Sequence, residues 1–522
     1  VKTFVALGLA LATLLGLFPA ASAEETFDLV ILNGRVIDPE TGLDAVRNVG
    51  VRGDRIARIT KKNISGARVI DAEGFVVAPG FIDLHAHGQN IPSGRAQALD
   101  GVTTALELES GEYPVSSFYD AAAEEGRPIH YGASVNWSRA RIAEITGQEP
   151  ASHDDEFERD PNGPDWRYMV ADETQSERIL ARVQQGLDEG GLGIGVLLGY
   201  SPGSGRGEYY ALHELAATNG VPTFTHARYL SNTEPDSSFE GFQEMVAVSA
   251  ATGAQMHVSH LNSISLRNIA PIRAMLQGAQ GRGVNITVEA YPYGAGATAI
   301  GTALFEGGNW QARLGGIKKS DFTLDGTPLT DAEFDRLQKE APRTDIVVHF
   351  LHPEDKPEDQ AILDQSILYP GGAIASDGGE WQINGEEIAS DVWPIPAHAE
   401  SHPRSAGTFS KFLRVYVREQ EAISLIDALA KTSLIPAQIL EESVPQMRRK
   451  GRLQEGADAD IVVFGIARVS DRATYEEPAQ MSAGFEHVIV AGTPLVSNGV
   501  LDTSVLPGRP IRRTPRDGAQ SP

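Results

Sequence analysis

With 522 residues, 41% of them hydrophobic, and with 54 Gly and 30 Pro, the chain is long enough for one large domain with an accessory lobe, and its composition is that of a loop-rich α/β protein. A net charge of −26 argues against nucleic acid as a partner, because phosphate binding needs clustered Lys and Arg. The absence of cysteine excludes disulfides, thiolate metal ligands and a cysteine nucleophile.

Taken in chain order, Lys2, the apolar run Phe4 to Leu17 and the small-residue site Ala21-Ser22-Ala23 read as a secretory signal peptide over 1–23. That reading predicts a mature chain from near Glu24, a periplasmic or secreted location and no stable membrane association after cleavage. Residues 24–79 read as the N-terminal part of a β-lobe. Its short strands are Asp28 to Leu32, Val36 to Ile37, Val49 to Val51, Arg55 to Ile59 and Arg68 to Asp71, with Asn33-Gly34 and Arg52-Gly53-Asp54 as turns. Residues 80–447 alternate apolar strands with amphipathic helices. Eight strands are proposed there: Val76 to His87, Thr103 to Glu109, Ile129 to Val135, Leu192 to Leu198, Thr223 to His226, Gln255 to His260, Asn285 to Tyr291 and Ala373 to Asp377. Eight such units imply an α/β fold, a (β/α)8 TIM barrel whose chemistry gathers at the C-terminal strand ends. The long gap 292–372 holds helical patterns such as Asp331 to Ala341, so a helical insertion is expected over the site. Residues 448–522 return to strands at Ala459 to Phe464 and Val488 to Gly492, and are expected to complete a small β-sandwich lobe with 24–79.

Gly80-Phe81-Ile82-Asp83-Leu84-His85-Ala86-His87 is an apolar strand-like run ending in two histidines one residue apart. Alternate strand side chains share a face, so His85 and His87 are placed to grip one divalent ion, with Asp83 one step deeper as a carboxylate to orient a ligand. Polar residues recur at the other strand ends: Glu107, Glu109, His226, His260 and Asp377. Four imidazoles and at least two carboxylates from separate strands suit zinc (Zn2+) or another borderline divalent metal, as one ion or two.

These motifs resemble the amidohydrolase superfamily and, within it, the N-acyl-D-amino-acid deacylases (D-aminoacylases). The resemblance is carried by Ala78 to His87, Gly101-Val102-Thr103-Thr104, Gly199 to Ser204, His226-Ala227-Arg228, Ser259-His260-Leu261, Tyr291-Pro292-Tyr293, Ser376-Asp377-Gly378, His402 to Phe409 and Gly456 to Phe464. It implies His226 and His260 on a tightly held metal, and His85, His87 and Asp377 on a second position. Asp377 would take the proton of the attacking water and pass it to the leaving amine. Arg404, Arg228, Tyr291, Tyr293 and Tyr200 are implied in substrate binding, Arg404 as a bidentate partner for a carboxylate.

Three departures from the family pattern stand out. Ser110 occupies the position of the metal-binding cysteine, which makes Glu109 the expected ligand and Glu107 its fallback. Asn262 stands where a lysine is common, and a longer stretch with Trp381 and Trp393 separates Asp377 from His402. The expectation is a metal-dependent hydrolase that acts on small N-acyl amino acids and releases a D-amino acid. Action on dipeptides or cyclic amides and imides is the nearest alternative. A silent binding protein on the same scaffold is a further one, which the complete set of histidines and Asp377 disfavours. Homo-oligomerisation stays open.

Overall fold

A computed structural model describes residues 26–150 and 165–514; the expected signal peptide lies outside the described residues. The chain opens with β1 (Thr26–Asp38), β2 (Leu43–Arg52), β3 (Arg55–Thr60), β4 (Ser65–Asp71) and β5 (Val76–Pro79). Asn33-Gly34 does not turn the chain. It forms a bulge inside the single long strand β1, with Asn33 at φ 61° and the register against β2 shifting between Ile31 and Gly34. Arg52-Gly53-Asp54 does turn it, between β2 and β3, with Gly53 at φ 57°.

The barrel follows as β6 (Phe81–Asp83), β7 (Val102–Glu112), β8 (His130–Asn136), β9 (Ile194–Leu197), β10 (Thr223–His226), β11 (Met256–Val258) and β12 (Ile286–Ala290). The insertion then contributes β13 (Ala295–Ala299), β14 (Phe322–Leu324), β15 (Thr327–Pro328) and β16 (Asp345–His349), and β17 (Ala373–Ile374) is the last barrel strand. The eight barrel strands are parallel and ordered β17-β12-β11-β10-β9-β8-β7-β6. The ring closes where Asp377 N donates to His85 O at 2.7 Å and Ala86 bridges Gly378 in parallel.

All eight expected strands are present, with one division. The run Val76 to His87 is two strands: β5 belongs to the lobe and β6 to the barrel. Gly80 makes the junction, since a Cβ there would sit 2.2 Å from Thr103 Oγ1. The insertion is not purely helical. Its strands form a four-stranded antiparallel sheet, β13-β16-β14-β15, beside the helix Asp331–Glu340. Phe305, Phe322, Phe334 and Ile346 give it a core of its own.

After a short hairpin, β18 (Gln382–Ile383) and β19 (Glu386–Glu387), the chain ends in β20 (Ile461–Phe464), β21 (Phe485–Val490), β22 (Thr493–Ser497) and β23 (Val500–Leu501). N- and C-terminal segments do pair: β20 lies antiparallel to β5, and the lobe strands hydrogen-bond into one nine-stranded sheet. Period-2 alternation explains how that sheet holds the barrel. Val77, Ile461, Val463 and Ile489 face the lobe core, while Val76, Ala78, Val462, Phe464, Val488 and Val490 pack with Phe81, Val102 and Phe409. No helix among the described residues is long and apolar enough to cross a membrane.

Candidate metal centre and active site

Six side chains from four strand ends and the turn after β17 converge inside the barrel mouth. His85 Nε2 lies 3.1 Å from His87 Nε2, 3.2 Å from Glu109 Oε2 and 3.3 Å from Asp377 Oδ1. His87 Nε2 is also 3.3 Å from Asp377 Oδ1. Glu109 turns its other oxygen to His260, with Oε1 2.8 Å from Nε2. The His226 ring stands 4.8 Å from that of His260. Two groups of ligand atoms are compact enough to hold an ion each: His85, Glu109 and His260, and His85, His87 and Asp377.

The outward nitrogens of three of these rings are already committed, while His260 Nδ1 has no partner. His85 Nδ1 meets Glu289 Oε1 at 2.6 Å, and His87 Nδ1 meets Glu107 Oε2 at 2.7 Å. His226 Nδ1 meets Ala227 O at 3.0 Å. Carboxylate and carbonyl acceptors fix Nδ1–H as the donor, so the Nε2 lone pairs face inward. Gly199 makes room for this, because a Cβ there would lie 2.5 Å from His226 Nδ1.

The donor set fits a cation on three grounds. Nε2 lone pairs 3.1 Å apart repel unless something positive lies between them. Glu109 Oε1, despite its approach to His260, has no aligned hydrogen bond, as expected when both atoms point at a third position rather than at each other. Finally, four buried carboxylates, Glu107, Glu109, Glu289 and Asp377, gather here, and of these Asp377 is the one paired with a guanidinium, that of Arg404. The titration behaviour agrees. Burial opposes a charge on His85 and His87, yet the carboxylates hold His85 well above the usual histidine value and push His87 up to about 10. Protons there substitute for a metal, which would displace them. His226 has no such neighbour in contact, and burial lowers it to about 4, leaving a neutral ligand.

Backbone strain marks the same place. His260 (φ 28°) and Asp377 (φ 55°) are non-glycine residues in the left-handed region, both just past the ends of barrel strands.

The remaining expected residues divide. Arg404 Nη1 lies 2.7 Å from Asp377 Oδ2, and its guanidinium stacks 4.8 Å above the Tyr291 ring. Burial opposes ionisation of Asp377, but Arg404 first and then His85 hold its pKa well below the usual range. Tyr291, pushed up to about 12 by burial, stays a neutral hydroxyl. Tyr200 packs on His226 at 5.0 Å and hydrogen-bonds Thr298 Oγ1 at 3.1 Å. All three line one cavity of about 700 Å³ with the metal cluster.

Arg228 does not reach that cavity. Its guanidinium is spent on Glu244 (2.8 Å from both Nε and Nη2) and on Pro202 O, Ser204 O and Ser204 Oγ, which ties the Gly199 to Ser204 loop to the helix Ser238–Thr252. Tyr293 is likewise behind the wall: its hydroxyl reaches Pro403 O at 3.5 Å and its ring packs on His402 at 5.3 Å. Asp83 orients no imidazole. Its Oδ1 accepts from His85 N and Ser376 N, stitching β6 to the end of β17. Glu107 holds His87 and accepts from Ser110 N and Gly111 N, whereas Glu109 faces the cluster. Asn262 pins the Tyr-Pro-Tyr turn, donating to Tyr293 O and accepting from Tyr291 N.

Two residues went unnoticed in the sequence. Glu289, inside β12, clamps both His85 and His257, the latter at 3.1 Å. His402 lines the cavity; its Nδ1 accepts from Arg404 N at 3.0 Å, and its Nε2 has no partner. Burial, then Arg404, keeps it far below the usual histidine range, so Nε2 carries the hydrogen. Arg404 Nε is a second buried donor without a partner. The His402-Pro403-Arg404 triplet was the signal available for His402.

A closed parallel barrel whose strand ends gather imidazoles and carboxylates around a buried cation site defines a metal-dependent hydrolase. The sequence matches the profile of the amidohydrolase family (Amidohydro_3) over residues 68–496, and the chain belongs to that family. It is 31% identical to an N-acyl-D-glutamate deacylase of Alcaligenes xylosoxydans xylosoxydans, over 94% of this chain and 97% of the relative. It is 27% identical to a D-aminoacylase of the same organism, over 94% and 99%. Among solved structures, the N-acyl-D-glutamate deacylase of Bordetella bronchiseptica, complexed with zinc and a phosphonate mimic of the tetrahedral intermediate, superposes with a TM-score of 0.73 at 23% identity, covering 94% of this chain and all of that one.

Proposed function

We propose that this amidohydrolase cleaves the linear amide of N-acyl-D-amino acids, holding one or two zinc ions on His85, His87, Glu109, His226, His260 and Asp377. The observation that carries the reading is the pair of unpartnered buried donors, Arg404 Nε and His402 Nε2, in the wall of the same cavity as the cation site. Such donors cost free energy unless a ligand accepts from them, and a substrate carboxylate fits them. The identity to deacylases over nearly the whole chain supports the same substrate class.

When bound, zinc would acidify a water and polarise the scissile carbonyl. Asp377 accepts the proton of the attacking water and delivers it to the leaving nitrogen. Arg404 on its Oδ2 keeps the carboxylate ionised until that moment. Tyr291 and Tyr200, both neutral hydroxyls at the cavity wall, donate to the acyl or carboxylate oxygens. The segment before Glu24 would direct export to the periplasm, which N-terminal sequencing of the exported protein checks. The activity is tested by chiral detection of amino acid released from matched N-acyl-D and N-acyl-L panels. D-selective release is expected; release from cyclic imides alone would refute the reading.

A further inference from the structure

One wall of the catalytic cavity has no place in the reading above. Leu230 and Leu266, from the loops after β10 and β11, line it together with Leu304, Phe305, Leu314 and Ile317 of the insertion. Phe305 and Ile317 are anchored in the insertion's own core, while Leu230, Leu304 and Leu314 stay partly exposed to the cavity.

Three separate chain segments are bound into this one surface by Asn232. Its backbone N–H donates to Arg313 O at 2.6 Å, and its side-chain Oδ1 accepts from Arg267 N at 3.1 Å. Those bonds fix the segments carrying Leu230, Leu314 and Leu266 respectively. Leu266 is held at φ 48° and ψ −131°, a backbone state that leucine adopts only under constraint.

The volume points the same way. About 700 Å³ is the size of a pocket that encloses a drug-sized ligand, well beyond what an acetylated amino acid fills. The cavity's charged lining lies in other residues, at the metal cluster, at Arg404 and His402, and at Arg343 and acids such as Asp325, Asp345 and Glu400, whereas the six side chains of this wall are all apolar, so the part of a substrate seated on them is apolar.

We infer that this wall is the acyl subsite, and that the preferred substrates carry an extended apolar acyl chain of octanoyl size rather than acetyl. The inference rests on the deacylase reading and adds to it the identity of the acyl half. Each methylene that reaches the wall raises kcat/KM about two- to fourfold, from the transfer free energy of a CH2 group.

The test is a series of N-acetyl-, N-butanoyl-, N-hexanoyl- and N-octanoyl-D-leucine, with N-acetyl-D-alanine and N-acetyl-D-phenylalanine to vary the other half. The zinc-loaded full chain is assayed beside Leu314→Asp and Leu304→Asn, two positions whose partial exposure tolerates a polar group. Octanoyl should exceed acetyl at least about thirtyfold in kcat/KM, and in either variant that ratio should fall toward one. Hydrolysis of the acetyl substrates with a flat or falling length series would overturn the acyl subsite and leave the deacylase reading standing. A dependence on side-chain size without one on acyl length would assign the wall to the amino-acid half and equally overturn it. Release from no member of the series would refute the deacylase reading, and the subsite with it.

Discussion

Glu289→Gln isolates what the outer carboxylates do for the metal. Glu289 is buried and accepts from His85 Nδ1 at 2.6 Å and His257 Nε2 at 3.1 Å. Burial favours its protonation, but His85 and His257 hold it down to about 2, so it is ionised throughout the working range. Glutamine keeps the shape and can still accept from one ring through its carbonyl. To the other ring it presents an NH2 group, a donor facing a donor. His257 has an alternative partner in Thr287 Oγ1 at 2.8 Å, so the ring left with a mismatch or a neutral partner is His85. Losing one hydrogen bond to a charged acceptor costs about 1.5–3 kcal/mol. The range overlaps the tenfold to hundredfold, or about 1.4–2.7 kcal/mol, by which removing an outer partner weakens a metal site. The expected result is zinc affinity reduced about tenfold to hundredfold, read by competition with a chromophoric chelator, with kcat at saturating zinc reduced much less. Zinc affinity equal to that of the unaltered protein would refute the claim that Glu289 orients a ligand.

Four further outcomes follow from the geometry. Glu109→Gln removes the one carboxylate that, among the described residues, touches both His85 and His260, so metal content after dialysis should drop by at least one ion's share; full retention would exclude it as a ligand. Asp377→Asn should lower kcat by about 10²–10⁴ by removing the proton carrier, and unchanged turnover would dismiss that role. His213 is buried between Tyr209 O and Thr223 Oγ1, and burial lowers it to about 4. The unfolded chain therefore binds the extra proton first, and stability from this site is complete above about pH 6.5 and lost as pH falls toward 4. Urea unfolding at pH 7 and pH 5 should show about 2 kcal/mol less loss in His213→Gln than in the parent, and equal losses would contradict it. Lastly, Asp325, Asp345, Glu380, Glu387, Glu400 and Glu476 line the same cavity as Arg343 and Arg404. An N-acyl-D-glutamate should be a poorer substrate than its neutral counterpart, by a gap that closes at least about twofold at high salt because exposed charges are screened. A gap indifferent to salt would remove the rim acids from the account.

Much of this was legible because strand chemistry repeats. Apolar runs that stop at His226, His260 or Asp377 give both the strand and the end at which it bears a functional group, and His85 and His87 share a face as alternation requires. What alternation hides is a change of partner. Val76 to His87 keeps its pattern through Gly80, although the strand leaves the lobe sheet and enters the barrel there. Arg228 sits in a motif beside a site residue, yet its guanidinium is held by Glu244 and the Gly199 to Ser204 loop, which only three-dimensional proximity reveals. Asp83 followed the expected face but met the backbone N–H groups of His85 and Ser376 before it could meet a ring. Glu289 stands in the middle of a short apolar run, where a buried carboxylate has no sequence signature apart from its cost, and its histidine partners come from two other strands.

The most direct measurement is release of free D-leucine from an N-acyl-D-leucine by protein stripped of metal with a chelator and titrated back with zinc. The account predicts negligible release from the stripped protein and recovery that follows the zinc bound, with the L-enantiomer left intact. Full-rate hydrolysis by the stripped protein, or no hydrolysis of the D-substrate at any zinc level, would contradict it.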